Sequence, residues 1–598
     1  MSRVLATLAA AAALAVAPGA HAQPDMGKVL RAAFPVAETG FDPQAAGDIY
    51  SNAVNRVIFD PLYKYDHLAR PLKLVPNTAV ALPEYADGGK TWTIKVRQGI
   101  HFADDPAFKG QKRELTAHDY VYSWKRILDP RMRSNALNTI EGRILDPDGV
   151  IAKARAEGKL DLDAKIEGLQ AIDRYTIRLK LNFADAELLS NLTTTSYAAV
   201  AREVIEAHRD ASGWAMANPV GTGPYLLREW KRGQKIVLEA NPGFREERYP
   251  ESSDPADKAT MAKLKGKRIP LVGRVEISII EEGNPRLLAF RRGELDYVAL
   301  PPELAWNVLD PPASLKPELA KEGIVLGRGF QPAISYAYFN MEDPVVGGNT
   351  PERIALRRAI SMAYNVPEEV KVIRQGQAIP ANQVVPPTVG GHNPKLPTRT
   401  IYNPSQARAL LDRFGYRDRD GDGLREQPDG KPLLLTLSSA PSAVERQFDE
   451  LWARSMKDVG VRIEFNKQKW PDLLKAARLG QLQMFQLGNI NTTSEGFGFL
   501  GLLYGPHAGF SNLARFRLPE YDRLYEQARA MVPGPARDEV MQKMGELVNV
   551  HAPWIVTVFR VENVLAHPWL VGYKFNGFNQ HPWPYFDVDV GKRRAAGK

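Results

Sequence analysis

The chain has 598 residues, 44% of them apolar and 25% charged, the balance of a soluble globular protein. Hydrophobic cores stop growing at roughly 250–300 residues, so two or three domains are expected. The absence of cysteine excludes disulfides, thiolate metal sites and cysteine nucleophiles. The formal charge of +9 sits on scattered Lys and Arg, with no basic patch to suggest a nucleic-acid partner.

The N-terminus reads as a secretory leader. Arg3 supplies the positive charge. Residues 4–17 form an apolar run shorter than the roughly 20 residues of a membrane span. Ala20-His21-Ala22 offers a small-residue cleavage site, so cleavage after Ala22 and export to the periplasm are expected. With no cysteine to carry a lipid, the exported chain is expected to be untethered.

After the leader, residues 30–34 read as a short strand, 38–43 as a loop and 50–59 as a helix ending before Asp60-Pro61. Strands dominate next, at 62–65, at 91–97 with clean alternation, and at 176–181. Thr116 with Asp119 forms a capping box for a helix that Asp129-Pro130 stops. Residues 131–173 are charged and weakly patterned and read as a surface insertion.

The segment 218–230 (NPVGTGPYLLREW) is a Gly/Pro turn running into a strand, and 235–240 pairs back as a second strand. It is no phosphate cradle, because no Gly-Lys-Ser/Thr follows. Further on come a strand at 275–280, a helix with Asn284 as cap and Gly293 past its end, and a strand at 297–300. Then follow a strand at 334–340, helices capped by Thr350 and Asn403, and a β-α-β-α-β run over 433–487. Such a run indicates a mostly parallel sheet covered by helices. Strand-like 554–559 and 564–565 return toward the first α/β region.

Several segments together resemble the family 5 extracellular solute-binding proteins, the dipeptide, oligopeptide and nickel type of receptor for ATP-driven importers. In order they are Leu30 with Asp42-Pro43, FDPLYKY at 59–65, TWTI at 91–94, TAHDYVYSWK at 116–125, the 218–230 turn and FRRGELD at 290–296. Phe339-Asn340, RRAISMAY at 357–364, 410–426 and PEYD at 519–522 complete the series.

The resemblance implies an α/β, two-lobed periplasmic binding protein fold with an additional strand-rich domain in the N-terminal half. On this reading 1–22 is the signal peptide, 23–60 and 214–325 form the first lobe and 61–213 the additional domain. Residues 326–553 form the second lobe, and 554–598 return to the first lobe and end in a tail. A ligand would be trapped between the lobes by hinge closure. The liganded protein, expected to be a monomer, would dock on an inner-membrane ABC permease. No catalytic residue and no cofactor is implied.

Peptide-binding relatives carry Gly-Trp and then an aspartate late in the second lobe, the aspartate pairing with the peptide's α-ammonium group. Here the stretch 487–500 has Asn489 at the tryptophan position and no aspartate. An unpaired buried ammonium would cost several kcal/mol, so either Glu495 substitutes or the ligand lacks a free amine. The candidate ligand contacts are Asn489, Asn491, Thr492, Thr493, Glu495 and Phe497, joined by Glu38 and Phe41 of the first loop. Peptides or peptide-like compounds are the expected ligand class.

Asp418, Asp420 and Asp422 with Gly423 fit the start of a calcium loop, but position 12 is Asp429 and a strand follows. The ten histidines are dispersed, though a metal complex stays open as a ligand class. A secreted hydrolase is the rival of a different class. It lacks support, since there is neither a Gly-x-Ser-x-Gly elbow nor a zinc motif. A receptor feeding signalling rather than import also stays open. The tail aromatics Trp569, Tyr573, Phe575, Phe578, Trp583, Tyr585 and Phe586 read as core and cover, with ligand stacking as the alternative.

Overall fold

The computed structural model describes residues 25–598 except 71, 312, 398–400, 492, 510, 532–533 and 580. The proposed leader and Thr492 therefore lie outside the described residues.

Among the described residues, the first lobe is built on a four-stranded sheet. Asp25–Phe34 runs parallel to Val272–Ile279, which pairs antiparallel with Lys235–Ala240 and through it with Tyr225–Lys231. Leu30, Val54, Ile236, Val275, Trp583 and Phe586 fill its core. The last two come from the C-terminal tail, which closes this lobe.

The largest sheet has seven strands and extends from the second lobe into the first, where Tyr297, Val564 and Ala566 join the first-lobe core. Its strand order is Tyr297–Ala299, Trp554–Ala566, Val325–Phe339, Met484–Ile490, Leu434–Ser439 and Arg462–Lys467, with Ala378–Pro380 beside Trp554–Ala566. The 433–487 run is parallel, as its β-α-β pattern predicts. The two long strands are antiparallel to each other, so the sheet as a whole is mixed. Side chains alternate across it: Tyr336 and Tyr338 enter one core, Ala337 and Phe339 the other.

Val325–Phe339 and Trp554–Ala566 cross between the lobes. Their register shifts twice: at the larger break Phe330 faces Val561 and Ile334 faces Phe559, and a second shift follows between Ser335 and Tyr336. Three residues, Gln331, Pro332 and Ala333, thus oppose the single residue Arg560. A proline has no amide to offer a ladder, so a bulge is where it fits. The sequence reading caught only the second half of the first crossing strand, because Gly327, Gly329 and Pro332 mask the first half. It also split the second crossing strand in two.

A separate core is formed between residues 62 and 204, on the sheet Glu84–Ala86, Thr91–Lys95, Thr176–Lys180 and Leu169–Asp173. The capping box at Thr116 and Asp119 is present. The segment 131–173 is not a surface insertion. Ile140, Ile144, Leu160 and Ile166 are buried in this core, and Leu169–Asp173 supplies an edge strand. These apolar residues are single and separated by turns, so they leave no periodic signal. The helix at Gly283–Arg291 is capped at Glu282 rather than Asn284.

In the 218–230 turn the glycines serve close packing. A β-carbon on Gly221 would stand 2.0 Å from the Ile58 carbonyl oxygen, and one on Gly223 2.6 Å from that of Val57. The Gly223 amide donates to Ile58 at 2.8 Å. The turn thus locks against the end of helix Ile49–Ile58.

Candidate functional site

A cavity of about 450 Å³ lies between the lobes. Helix Ile49–Ile58 of the first lobe lines it with Asn52 and Arg56. The intermediate region adds Asn135, Thr139, Asn191 and Thr195, the second lobe Asn489 to Asn491, and the tail Phe578 and His581. A second chamber of about 330 Å³ shares Ile49, Ile490 and His581 with it and reaches the crossing strands. Arg286, Arg374, Arg560 and Glu562 carry its charge.

The second lobe is met on both flanks of this space, by the strand-rich region on one side and by the first lobe on the other. On one side the Ser494 amide donates to the Tyr65 hydroxyl at 3.1 Å, and the two hydroxyls meet at 3.1 Å. On the other, Gln375 accepts from the Trp306 amide at 2.8 Å and donates to the Glu303 carbonyl at 2.5 Å. The structure is that of lobes in contact around an interior cleft.

The cleft is rich in donors. The Asn191 side chain is buried and its Nδ2 has no partner among the described residues. Asn489 Oδ1 accepts from the Tyr336 hydroxyl at 2.9 Å, which turns its amide nitrogen to the cavity. Among the described residues, Arg56 donates only to the Phe578 carbonyl, at 2.8 Å. Arg560 Nε is buried without a partner among the described residues. Burial pulls Arg56 down to about 10. Burial and then the nearby Arg374 do the same to Arg560. Arg374 itself is matched, donating to the buried Glu369 at 2.7 Å. Burial, with Arg56 beside it, holds His581 down at about 3.

The residues singled out from sequence divide. Asn489, Asn491 and Thr493 line the cavity. Asn491 also braces its own turn, donating to the Glu495 carbonyl at 2.7 Å and accepting from Thr493. Glu495 is a correction: its carboxylate pairs at 3.1 Å with Arg537, a side chain only 2% exposed, so it is not free for an ammonium group. Phe497 is a second correction. It is fully buried in the second-lobe core, stacked on Tyr525 at 4.4 Å with Arg537 above it at 5.0 Å.

Glu38 and Phe41 are corrected too. Glu38 accepts from Trp230 Nε1 and the Gly233 amide, and Phe41 packs on the Trp230 ring at 4.7 Å. They anchor the hairpin and lie outside the cleft. Asp418, Asp420 and Asp422 are exposed, with oxygens within 4.8 Å of one another. These oxygens accept from the amides of Gly421, Asp422, Gly423 and Leu424, which accounts for the aspartates as closers of a tight turn.

Sequence reasoning missed Arg56, Asn135, Asn191 and Arg560. Arg560 had a legible signal, since it interrupts a mostly apolar run in a strand destined for burial.

Residues 73–511 match the family described as bacterial extracellular solute-binding proteins, family 5 Middle. The chain belongs to this family. Among the relatives of this solute-binding protein is heme-binding protein A of Haemophilus influenzae, 24% identical over 85% of this chain and 83% of that protein. Another is di/tripeptide-binding protein 2 of Pseudomonas aeruginosa, 25% identical over 93% and 92%. The solved structure of the Helicobacter pylori periplasmic binding protein DppA with the peptide STSA has a TM-score of 0.73. It is 20% identical and covers 94% of this chain and 98% of that one. At that identity the likeness shows the two-lobed fold, and the cleft's chemistry must be read from this solute-binding protein's own residues.

Proposed function

We propose that this protein is the periplasmic substrate-binding component of an ABC import system, capturing a peptide or peptide-like solute between its lobes and delivering it to an inner-membrane permease. The observation that carries the reading is the 450 Å³ cavity lined from both lobes, with two paired strands crossing between them among the described residues. That volume is ample for a short peptide. Enclosure strips water, so the Asn and Arg donors become strong determinants of what is held. Nothing in capture and release requires a nucleophile or a metal. The Gln-Pro-Ala bulge is a local interruption at which two rigid sheets can pivot. Relatives named for di- and tripeptides support the peptide class.

The test is calorimetry on ligand-stripped protein with di-, tri- and tetrapeptides, with haem as the non-peptide arm. Binding of peptides, with the melting temperature rising as their concentration does, is the expected result. Haem binding without peptide binding would move the protein to the other ligand class.

A further inference from the structure

We propose that the cleft recognises its solute by an acidic group seated on Arg560 at the crossing strands, and not by an amine. This rests on the reading of the protein as a solute-binding receptor.

The placement of Arg560 carries the argument. It is the one residue of the second crossing strand that faces the three-residue bulge, and it lines the 330 Å³ chamber. Its Nη2 lies over Gly488 of Met484–Ile490, two places away in the sheet, so close that a β-carbon there would stand 1.9 Å away. A glycine inside a strand marks the close approach of another group. The guanidinium thus stands over the backbone of the sheet, where Glu562 and Glu369 act on it from a distance. Among the described residues, neither Arg560 nor Arg56 in the adjoining cavity forms an ion pair.

The surrounding charges point the same way. Arg286 lines the same chamber and donates from Nη1 to the carbonyls of Ile280 and Glu281. Arg374 is balanced by Glu369. Glu562 is the one carboxylate lining the chamber among the described residues, and none lines the larger cavity. Burying cations with too little counter-charge is unfavourable: burial lowers Arg56, and burial with Arg374 lowers Arg560 although Glu562 and Glu369 pull the other way. A solute carboxylate would relieve that cost with a forked, charge-assisted pair, which a guanidinium is shaped to make. Glu495, the group that could have held an ammonium in the Asn489 stretch, is committed to Arg537. Seated between the crossing strands, the acid would also touch the element about which the lobes move.

The experiment uses the ligand-stripped mature chain and one pool of di- and tripeptides in three forms: untreated, N-acetylated and C-amidated. Retention through gel filtration is read by mass spectrometry, and retained members are titrated by calorimetry. N-acetylated peptides should be kept as well as untreated ones, and C-amidated peptides should be lost. In Arg560→Gln the affinity for retained acids should fall roughly thirty-fold or more, and Arg560→Lys should recover part of it. The peptide arms on the wild-type protein stand even if Arg560→Gln does not fold. If amidated peptides bind as well as free acids, or acetylation abolishes binding, the acid-reading inference falls while peptide capture stands. If no form is retained, both fall.

Discussion

Arg560 Nη2 sits where a side chain on Gly488 would have to be, 1.9 Å from the position of the missing β-carbon. The two residues belong to different strands of the large sheet, and their fit fixes where the guanidinium stands. Because the group displaced is the far end of a flexible side chain, Gly488→Ala should cost little stability, about 1 kcal/mol. It should cost ligand affinity more, about tenfold, since the guanidinium must leave its seat. Urea denaturation and calorimetry on the same variant separate the two effects.

Glu495 tests the difference between a contact and a brace. Its partner Arg537 is buried, so removing the carboxylate strands a charge. Glu495→Gln should destabilise the protein by about 2–4 kcal/mol and leave ligand affinity within about threefold. A large loss of affinity at unchanged stability would put Glu495 back in the site.

The 218–230 turn predicts a purely structural defect. A methyl group on Gly221 would collide with the Ile58 carbonyl, backbone against backbone, with no flexible atom to yield. Gly221→Ala should cost about 3 kcal/mol in chemical denaturation. The folded fraction should keep its ligand affinity.

His581 predicts the acid limb of stability. It falls from an ordinary 6.5 to about 3 because it is buried, with Arg56 adding to the effect. Between those values the unfolded chain takes up a proton that the folded chain refuses, so stability drops as pH drops. The contribution is complete above 6.5 and is lost toward 3. His581→Asn should flatten the dependence by about 1 kcal/mol per pH unit between pH 6 and 4, measured by denaturation at fixed pH values.

Much of the fold was legible because local signals and burial agree. Thr350 and Asn403 cap the helices they were expected to cap. The alternation at 91–97 and the β-α-β-α-β run stand as strands and helices in the expected order. What stayed illegible is what depends on distant partners. The first crossing strand hides behind glycines whose missing side chains make room for Tyr573 and Phe575 from the tail. The 131–173 segment contributes buried residues one at a time. Asn489 and Asn491 stood out by departure from a pattern, but Arg56 enters the cleft from a helix whose pattern says nothing of a ligand, and Asn191 from a short helix with no sequence signal. Glu495 was misassigned because a carboxylate near the right place says nothing about Arg537, 42 residues later, which already holds it.

Capture between lobes hinged on two strands requires the lobes to approach when a solute binds. The chain has no cysteine, so two introduced ones are the sole label sites. Spin labels at Lys95→Cys, in the strand-rich region, and Arg523→Cys, in the second lobe, both exposed, would report the separation by pulsed electron resonance. Saturating peptide should collapse a long, broad distance distribution into a single shorter and narrower one. A distribution unchanged by a peptide that calorimetry shows to be bound would contradict capture by closure.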